Sequence, residues 1–386
     1  MGVSAWREIS LGEICEFKYG KSLPKKERIP GRYPVYGSNG KVGSHNQALT
    51  NGPTVIIGRK GSFGEVAYSD SACWPIDTTY FIDSTATQED LKWLSYRIRN
   101  LGLTELNRAA AIPGLNREDA YRKRLLLPPL DEQRRIAAVL DKVDALRAKR
   151  REAIALLDEL AQSVFLDMFG KAKQATGRWK TETLQNLSVG FRYGTSNKST
   201  KEGYPTLRIP NVIGDELDTS DLKFVPVPPN EFNRLRLIDG DLLFVRTNGN
   251  PDFVGRCSIF TEEAIKKTRL PADQFIYASY LIRVRLKTDT ALPTYVREFM
   301  RTSEGRSALR SNSRTSAGQY NINTKGLGSI EIPVPPLDIQ KNFEERLASI
   351  RRLKEAHRTH LAHLDELFAS LQQRAFRGEL FSSEAA

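Results

Sequence analysis

Residues 128–133 read Pro-Pro-Leu-Asp-Glu-Gln, and residues 335–340 read Pro-Pro-Leu-Asp-Ile-Gln. The two copies lie 207 residues apart, and at the same offset Leu-Asp-Glu-Leu at 157–160 recurs at 364–367. No gap is needed between these matches, so the segment that follows each Pro-Pro pair keeps a fixed length. A chain that repeats itself in this way is predicted to contain two copies of one structural unit.

The repeat extends upstream with less regularity. Leu115-Asn116 recurs at the 207-residue offset as Ile322-Asn323. Near the start of each half, Phe17-Lys18-Tyr19-Gly20 resembles Phe191-Arg192-Tyr193-Gly194, but this match needs an offset of 174 residues. The interiors of the two halves therefore differ in length by about 33 residues, which predicts one scaffold carrying two different recognition surfaces.

Each Pro-Pro pair is followed by a long amphipathic pattern. Apolar residues recur at three- and four-residue steps from Asp131, a predicted N-cap, to Gly170, and again from Asp338 to about Arg374. The first helix is predicted to span about 38 residues, or roughly 57 Å. Each apolar stripe needs a partner, so the sequence predicts that the two helices form an antiparallel coiled coil. The predicted helix-pair residues are Ile136, Leu140, Val143, Leu157, Val164, Phe343, Leu347, Ile350, Leu364 and Leu371.

The middle of the helix pair leaves one question open. Arg150 and His357 fall at equivalent core positions of the heptad pattern. They either form a polar layer that fixes the register of the helices or extend their charged ends outward to solvent. The same apolar stripes contain four further leucines, namely Leu146, Leu160, Leu353 and Leu367.

Outside the helices, the pattern is that of a mixed α/β (α+β) protein. A β-branched run, Thr54-Val55-Ile56-Ile57, precedes a glycine-rich turn, and Leu242-Leu243-Phe244-Val245 precedes a polar turn at the analogous place in the repeat. We predict two globular domains, the first at residues 1–127 and the second at residues 171–334. They are separated by a helix at 128–170 and by a second helix with a tail at 335–386, in a pseudo-twofold internal repeat.

The composition indicates the setting of the protein. The chain has 58 Lys+Arg against 46 Asp+Glu, a net charge of +12 and a pI near 9.5, which favours a polyanionic partner such as nucleic acid. A basic protein without such a partner is the alternative. Its three cysteines lack Cys-x-x-Cys spacing, so neither a disulfide framework nor a zinc site is predicted. No signal-peptide core and no apolar run of roughly 20 residues occurs, so we predict a cytoplasmic protein with no membrane contact.

Catalytic motifs are absent from the sequence. The chain has no Gly-x-x-x-x-Gly-Lys-Ser/Thr loop, no Gly-x-Ser-x-Gly elbow, no His-Glu-x-x-His and no Asn-Pro-Pro-Tyr. His357, His360 and His363 share one helix, but their spacing and the lack of a fourth ligand favour a solvated or partner-facing surface over a metal site. We therefore predict a chain that is not an enzyme and holds no metal or cofactor.

Two loops carry side chains suited to DNA. Arg59-Lys60-Gly61-Ser62 follows the first β-branched run, and basic residues at a glycine turn can approach a phosphate closely. Arg246-Thr247-Asn248-Gly249-Asn250 occupies the analogous place in the second half, and Arg and Asn suit bidentate contacts with guanine and adenine. Either loop alone is also consistent with a solvated turn. Two analogous loops in a duplicated basic protein favour nucleic-acid contact.

These features together resemble a known family. Two variable domains, each followed by Pro-Pro-Leu-x-x-Gln and a long helix, resemble the DNA-specificity subunit of type I restriction-modification systems over nearly the whole chain. The first domain also resembles one branch of the family's target recognition domains through Tyr-Gly-Ser-Asn-Gly at 36–40, Gly-Arg-Lys-Gly-Ser at 58–62 and Ile-Asp-Thr-Thr-Tyr at 76–80. The second domain follows a different branch, so the expected DNA target is asymmetric.

The resemblance implies a non-catalytic subunit that recognises double-stranded DNA at an asymmetric bipartite site. Its implied partners are two modification (methyltransferase) subunits and restriction (motor-nuclease) subunits. S-adenosylmethionine, ATP and Mg are expected on those partners, and none in this chain. The implied DNA-binding residues are Lys21, Tyr36, Ser38, Asn39, Lys41, Arg59, Lys60 and Ser62 in the first domain and Arg208, Asn211, Arg246, Thr247, Asn248, Asn250, Arg256, Arg314, Ser316 and Gln319 in the second.

Three other functions are compatible with parts of the sequence. A specificity subunit of a type IIB-like restriction enzyme would have a fused methyltransferase-nuclease as its partner. A coiled-coil protein-protein adaptor would bind protein, and it would show no salt-dependent affinity for DNA. A self-contained nucleic-acid enzyme is disfavoured by the missing catalytic motifs.

Overall fold

The chain folds into two compact units, each with its own core. The computed structural model describes residues 6–106, 114–170, 178–214, 216–316 and 318–381. Unit 1 combines residues 1–152 with 358–386, and unit 2 consists of residues 153–357. Each unit therefore contains one predicted globular domain together with half of each long helix. The predicted mixed α/β (α+β) class is confirmed.

Unit 1 contains three small sheets. A four-stranded antiparallel sheet has the order β2-β8-β5-β6, a three-stranded sheet has the order β4-β3-β7 with β3 and β7 parallel, and β1 pairs with β9. The strands are β1 (Arg7–Ser10), β2 (Lys18–Tyr19), β3 (Tyr33–Gly37), β4 (Gly40–His45), β5 (Thr54–Gly58), β6 (Val66–Ser69), β7 (Trp74–Pro75), β8 (Thr79–Ile82) and β9 (Arg124–Leu127). The short helices are α1 (Leu91–Arg99) and α2 (Arg117–Tyr121). Strand β5 is buried along its whole length, as its β-branched residues predict.

Unit 2 repeats this arrangement with insertions. Its strands are β10 (Lys180–Thr183), β11 (Ser188–Tyr193), β12 (Tyr204–Leu207), β13 (Lys223–Val225), β14 (Leu242–Val245), β15 (Thr247–Asn248), β16 (Cys257–Ile259), β17 (Ile276–Tyr277), β18 (Leu281–Leu286), β19 (Arg314–Ser316), β20 (Gln319–Asn321) and β21 (Glu331–Val334). Its short helices are α4 (Leu184–Leu187), α5 (Ile209–Val212), α6 (Pro229–Leu235), α7 (Glu262–Ile265), α8 (Pro293–Arg301), α9 (Ser303–Ser311) and α10 (Thr324–Gly328).

The sheets of the two units correspond one to one, with one exception. The order β11-β18-β14-β16 matches β2-β8-β5-β6, the order β13-β12-β17 matches β4-β3-β7, and the pair β10-β21 matches β1-β9. A further three-stranded sheet, β15-β20-β19, has no equivalent in the described part of unit 1. The sequence repeat is therefore a repeat of topology, and the longer second domain adds structure next to its predicted recognition loop.

The long helices are α3 (Leu130–Phe169) and α11 (Leu337–Phe376), each of 40 residues. In the chain, α3 lies between the short helices α2 and α4, and α11 follows α10. Helix α3 begins before Asp131, so the predicted N-cap residue lies in its first turn instead. Gly170, at φ +72°, follows the last residue as predicted. Within unit 1, Arg147 lies near Asp365 and Arg135 near Phe381, so the two helices run antiparallel. Within unit 2, Lys354 pairs with Asp158 and Phe343 packs on Phe165, so the helices run antiparallel there as well.

Most predicted helix-pair residues lie against a core. Six of them are buried, namely Ile136, Leu140, Val143, Phe343, Leu347 and Ile350. The other four are half-buried, namely Leu157, Val164, Leu364 and Leu371. Those in unit 1 pack with the core of the first domain, and Val164, Phe343 and Leu347 pack with the core of the second.

Four leucines of the predicted stripes are exposed instead. The exposed fractions are 47% for Leu146, 46% for Leu160, 53% for Leu353 and 46% for Leu367. Beside Leu353, the side chain of Lys354 takes the buried position, where its ammonium group pairs with Asp158. The seam of the helix pair is therefore partly ionic.

The same interhelical ion pair occurs once in each unit. In unit 1, the Arg147 Nε lies 2.6 Å from Asp365 Oδ1. In unit 2, the Lys354 Nζ contacts Asp158 Oδ1. Arg147 and Lys354 are related by the 207-residue offset, and so are Asp158 and Asp365. Arg150 and His357 are half-buried and belong to different units, so their polar layer stays a prediction.

The glutamine that ends each Pro-Pro-Leu-x-x-Gln motif is fully buried and ties the long helix to its domain. Gln133 accepts a hydrogen bond from the Asp90 N–H at 2.9 Å and donates to the Pro128 carbonyl at 2.9 Å. Gln340 accepts from the Leu292 N–H at 2.8 Å and donates to the first proline of its own motif at 2.8 Å. Asp90 and Leu292 are the N-cap residues of α1 and α8. The motif thus joins two helix starts in each unit.

Candidate nucleic-acid interface

The two glycine loops of the first domain lie side by side. Ser38 and Asn39 form the turn between β3 and β4. A Cβ built on Gly58 would lie 3.2 Å from the Ser38 Cβ, and one built on Gly61 would lie 3.6 Å from the Ser38 Oγ. The turn and Gly58 line a cavity of about 180 Å³. The structure therefore brings together two segments that the sequence singled out separately.

The backbone at Arg59 is held from two sides. The N–H groups of Arg59 and Lys60 both donate to the Thr78 carbonyl, at 2.9 and 3.1 Å, and the Arg59 carbonyl accepts from the Leu115 N–H at 2.8 Å. The Arg59 guanidinium carbon lies 5.1 Å from the centre of the Tyr19 ring. Its side chain makes no hydrogen bond with the described residues. Arg59 is therefore oriented by an aromatic ring and retains its hydrogen-bond donors.

The other predicted residues of the first domain are at the surface or close to it. Lys21, Asn39, Lys41 and Lys60 are exposed, whereas Tyr36, Ser38 and Ser62 are half-buried. Tyr36 lies opposite Lys41 in the β3–β4 hairpin. The Lys21 N–H donates to the Pro75 carbonyl at 3.0 Å, which places this lysine beside β7 and hence beside the same sheet.

In the second domain, one small sheet unites two of the predicted segments. Thr247 and Asn248 form β15, which pairs with Asn321 and Tyr320 of β20, and β20 in turn pairs with β19. The Thr247 hydroxyl donates to the Gln319 side chain at 3.3 Å. The exposed side chains of Arg314 and Gln319 thus belong to the same sheet as the loop that begins at Arg246.

Asn248 and Asn250 shape that loop with their side-chain oxygens. The Asn248 Oδ1 accepts from the Asn250 N–H, and the Asn250 Oδ1 accepts from the Asp252 N–H, each at 2.9 Å. The amide NH₂ of each asparagine makes no hydrogen bond with the described residues. Each asparagine therefore keeps donors that are suited to a base edge.

Arg246 occupies the start of this loop. Its N–H donates to the Tyr280 carbonyl and its carbonyl accepts from the Ile322 N–H, both at 2.9 Å. The guanidinium carbon lies 4.7 Å from the centre of the Tyr193 ring. Its Nε is buried and has no hydrogen-bond partner among the described residues.

Asn211 has to be removed from the predicted DNA-binding residues. The side chain is 2% exposed, so it is inaccessible to DNA. Its amide nitrogen donates to the carbonyls of Asp218 and Asp221 at 2.7 and 3.1 Å, and its oxygen accepts from the Arg208 N–H at 2.8 Å. Its amide groups are all used to hold the surrounding loop, and we remove it from the candidate interface.

Two predicted arginines are engaged with acceptors of the protein. Arg208 forms an ion pair with Asp221, with 2.7 Å between NH2 and Oδ2. Arg256 donates to the carbonyls of Asp252 and Ile213 at 3.0 and 3.1 Å. Contact with DNA from either arginine would require an exchange of these bonds.

The sequence reasoning assigned no role to Tyr19 and Tyr193. Both appear in the weak upstream repeat, and each is followed by a glycine. The structure shows why a larger residue would not fit at either glycine. A Cβ on Gly20 would lie 2.1 Å from the Ile76 carbonyl oxygen, and one on Gly194 would lie 2.2 Å from the Tyr277 carbonyl oxygen. The signal that could have identified the tyrosines is this recurrence of Tyr-Gly at the start of both halves.

Burial raises the pKa of the Cys15 and Cys257 thiols to about 12, which suppresses the reactive thiolate. In the parts of the chain that the structure describes, no three His, Cys, Asp or Glu residues are grouped as metal ligands. Within the same parts, no helix has the length and apolar character required to cross a membrane.

The cysteines give a direct test of the folded core. All three are buried, so we expect the native protein to react very slowly with a thiol reagent such as dithionitrobenzoate. All three thiols should react at once after unfolding in guanidinium chloride. Rapid release of one equivalent from the native protein would contradict the burial of that cysteine.

Comparison with known proteins shows what the chain is similar to. Residues 4–156 match the family described as Type I restriction modification DNA specificity domain. The EcoKI specificity subunit of Escherichia coli (strain K12) is 32% identical over 276 residues, 66% of this chain and 57% of that protein. The EcoDI specificity subunit of Escherichia coli is 22% identical over 404 residues, 97% of this chain and 88% of that protein.

A solved structure shares the fold over the whole length. The S subunit of a type I restriction-modification system from M. genitalium aligns with a TM-score of 0.62 at 16% identity and covers 96% of both chains. The chain spans only 57% of the length of the EcoKI specificity subunit. With its duplicated motif, its paired long helices and its two domains of common topology, the chain is similar to the DNA-specificity subunits of type I restriction-modification systems.

Proposed function

We propose that this protein is the sequence-reading subunit of a restriction-modification complex and recognises an asymmetric bipartite site in double-stranded DNA. One observation carries the proposal. The loops after β5 and β14 occupy equivalent positions and both begin with arginine, but one continues as Lys60-Gly61-Ser62 and the other as Thr247-Asn248-Gly249-Asn250. Equal scaffolds with different side chains fit two half-sites of different sequence.

The proposed interface consists of the predicted residues that remain after the removal of Asn211. In the first domain, the adjoining loops supply three exposed groups, Asn39, Lys41 and Lys60. In the second domain, the sheet β15-β20-β19 supplies Asn248, Arg314 and Gln319 beside the loop that ends at Asn250. The net charge of +12 supports binding to the phosphate backbone.

The chain itself performs no chemistry under this proposal. Recognition is its contribution, and methyl transfer and DNA cleavage belong to modification and restriction subunits. S-adenosylmethionine, ATP and Mg would be bound by those partners. Because the proposed substrate is cellular DNA, we place the protein in the cytoplasm.

Two modification subunits are proposed because the exposed leucines of the long helices occur in two equivalent pairs. In unit 1, Leu146 and Leu367 stand beside the Arg147–Asp365 ion pair in the sequence. In unit 2, Leu353 and Leu160 stand in the same way beside the Lys354–Asp158 pair. Leu146 and Leu353 are related by the 207-residue offset, and so are Leu160 and Leu367. Two equivalent sets of exposed leucines would suit two copies of one partner.

The proposed function is tested by the methylation pattern of the host genome. We expect deletion of the gene to remove methylation from one asymmetric, gapped motif with adenines as targets, and expect the wild-type gene to restore it. The variant Asn248→Ala/Asn250→Ala should restore methylation at a motif that is changed in only one half, because both asparagines belong to the second domain.

Three outcomes would count against this proposal. A methylome that does not change while the partner genes are expressed would favour the protein-protein adaptor. A variant motif altered in both halves would contradict the assignment of one half-site to each domain. A fused methyltransferase-nuclease in the purified complex would identify the type IIB-like alternative.

A further inference from the structure

The two recognition loops begin with an arginine in the same structural position. The Arg59 N–H donates to a carbonyl just before β8, and the Arg246 N–H donates to a carbonyl just before β18, the equivalent strand. The carbonyls of the two arginines accept from Leu115 and Ile322, which the 207-residue offset relates. Four backbone hydrogen bonds therefore establish that Arg59 and Arg246 correspond.

Both arginines stack on a tyrosine, and the tyrosines correspond as well. The guanidinium carbon lies 5.1 Å from the Tyr19 ring centre in the first domain and 4.7 Å from the Tyr193 ring centre in the second. The 174-residue offset relates these tyrosines, whereas the arginines are 187 residues apart. The Tyr–Arg pair is thus kept although the intervening segment differs in length between the domains.

The stacked geometry determines what each arginine can bind. A ring over the face of a guanidinium leaves its N–H groups, which point outward in the plane, available to a planar or tetrahedral acceptor. The Arg59 side chain has no hydrogen-bond acceptor among the described residues. Arg246 has only a long contact of 3.4 Å to the Ser279 carbonyl, and its buried Nε has none there. Both side chains are half-buried, so donors without acceptors favour an added ligand.

The difference between the two loops restricts which ligand Arg59 and Arg246 can share. A side chain that is the same in both domains contributes nothing to the distinction between two different half-sites. The DNA feature common to any two half-sites is the phosphodiester backbone, which an arginine binds through paired N–H groups. We propose that Arg59 and Arg246 are equivalent phosphate-binding residues that set the position of each domain on DNA. The neighbouring, non-equivalent side chains then read the bases.

This inference rests on the proposed function, and the test separates the two. The full chain, in complex with its modification subunits, is titrated with a duplex carrying its methylated motif and with a duplex of unrelated sequence, over a series of salt concentrations. Arg59→Ala and Arg246→Ala are each expected to weaken binding to both duplexes by the same factor, roughly 10- to 100-fold. The slope of log affinity against log salt should fall by about 0.9 for each variant and by twice that for the double variant.

Two further variants serve as controls. Arg32→Ala removes an exposed arginine of the same domain whose guanidinium carbon also lies over a tyrosine, 4.8 Å from the centre of the Tyr33 ring. Arg32 does not belong to the loop that begins at Arg59, so the slope of log affinity against log salt should change by much less. Arg59→Lys keeps the charge and tests for a folding defect, because it should preserve the salt slope while binding weakens. The methylated motif should be the same in all these variants.

Three outcomes would overturn the proposal. A loss of affinity confined to the specific duplex, with a relaxed base in one half of the motif, would identify Arg59 or Arg246 as a base-reading residue. An equal loss with Arg32→Ala would mean that only net charge matters. If the wild-type complex binds neither duplex, the proposed function itself fails, and this result is distinguishable from the other two.

Discussion

Replacing Gln133 with Leu is expected to lower the free energy of unfolding by about 2–4 kcal/mol, a large loss for one residue outside the candidate interface. Gln133 is fully buried, and leucine would leave the Asp90 N–H and the Pro128 carbonyl without partners. Each unsatisfied buried group costs about 1–3 kcal/mol. Urea unfolding followed by circular dichroism measures the change as a lower midpoint.

The control for this prediction is Gln373→Leu, on the exposed face of α11 in the same unit. It should change the free energy of unfolding by no more than about 0.5 kcal/mol. Gln340→Leu should resemble Gln133→Leu, because Gln340 makes the equivalent bonds in unit 2. Equal effects of Gln133→Leu and Gln373→Leu would show that the buried hydrogen bonds contribute little.

The second large effect is expected at the leucine pairs. If the complex contains the two proposed modification subunits for each chain, changing Leu146 and Leu367 to Gln should reduce that number to one, and changing Leu160 and Leu353 should do the same. Changing all four should prevent assembly. A side chain that acts as a hot spot at the centre of an interface contributes about 2 kcal/mol or more, so the loss of two would weaken one site by a factor of roughly 1,000. Native mass spectrometry of the assembled complex gives the stoichiometry directly.

Leu156→Gln with Leu166→Gln is the matched control. Both leucines are exposed on α3 to a similar extent, but their repeat counterparts are His363 and Gln373, so neither belongs to a duplicated apolar surface. The control should keep two modification subunits. If it loses them as readily as the paired variants do, the repeat does not define the docking surface.

The sequence predicted the scaffold well because its signals are local. Two prolines, a heptad pattern and Gly170 are sufficient to place α3 almost to the residue. The repeat of the motif at a fixed offset then predicts α11. The choice of which helix residues are buried was harder to predict, because the apolar pattern does not say which of Leu353 and Lys354 is buried. That choice depends on Asp158, which lies far away in the sequence on the other helix.

The candidate site was predicted in part. Glycine and polar residues after buried strands correctly indicated loops at Arg59 and Arg246, because the formation of a turn depends on residues that are close in the sequence. Two features depended on distant contacts and were missed. The stacking of each arginine on Tyr19 or Tyr193 requires the pairing of β2 with β8 and of β11 with β18. Asn211 resembled a base-reading residue by type, but the carbonyls around it make it part of the core.

Unit 1 is assembled from both ends of the sequence, and this has a consequence for biosynthesis. Phe368, Ala375 and Phe376 from the end of α11 belong to the core that surrounds Leu140 and Val143 of α3. Translation at roughly 5–20 residues per second separates the synthesis of these two parts by about 10–45 s. Throughout that interval the nascent first domain exposes an apolar groove that its own chain has yet to fill. The domain made first is therefore the one completed last.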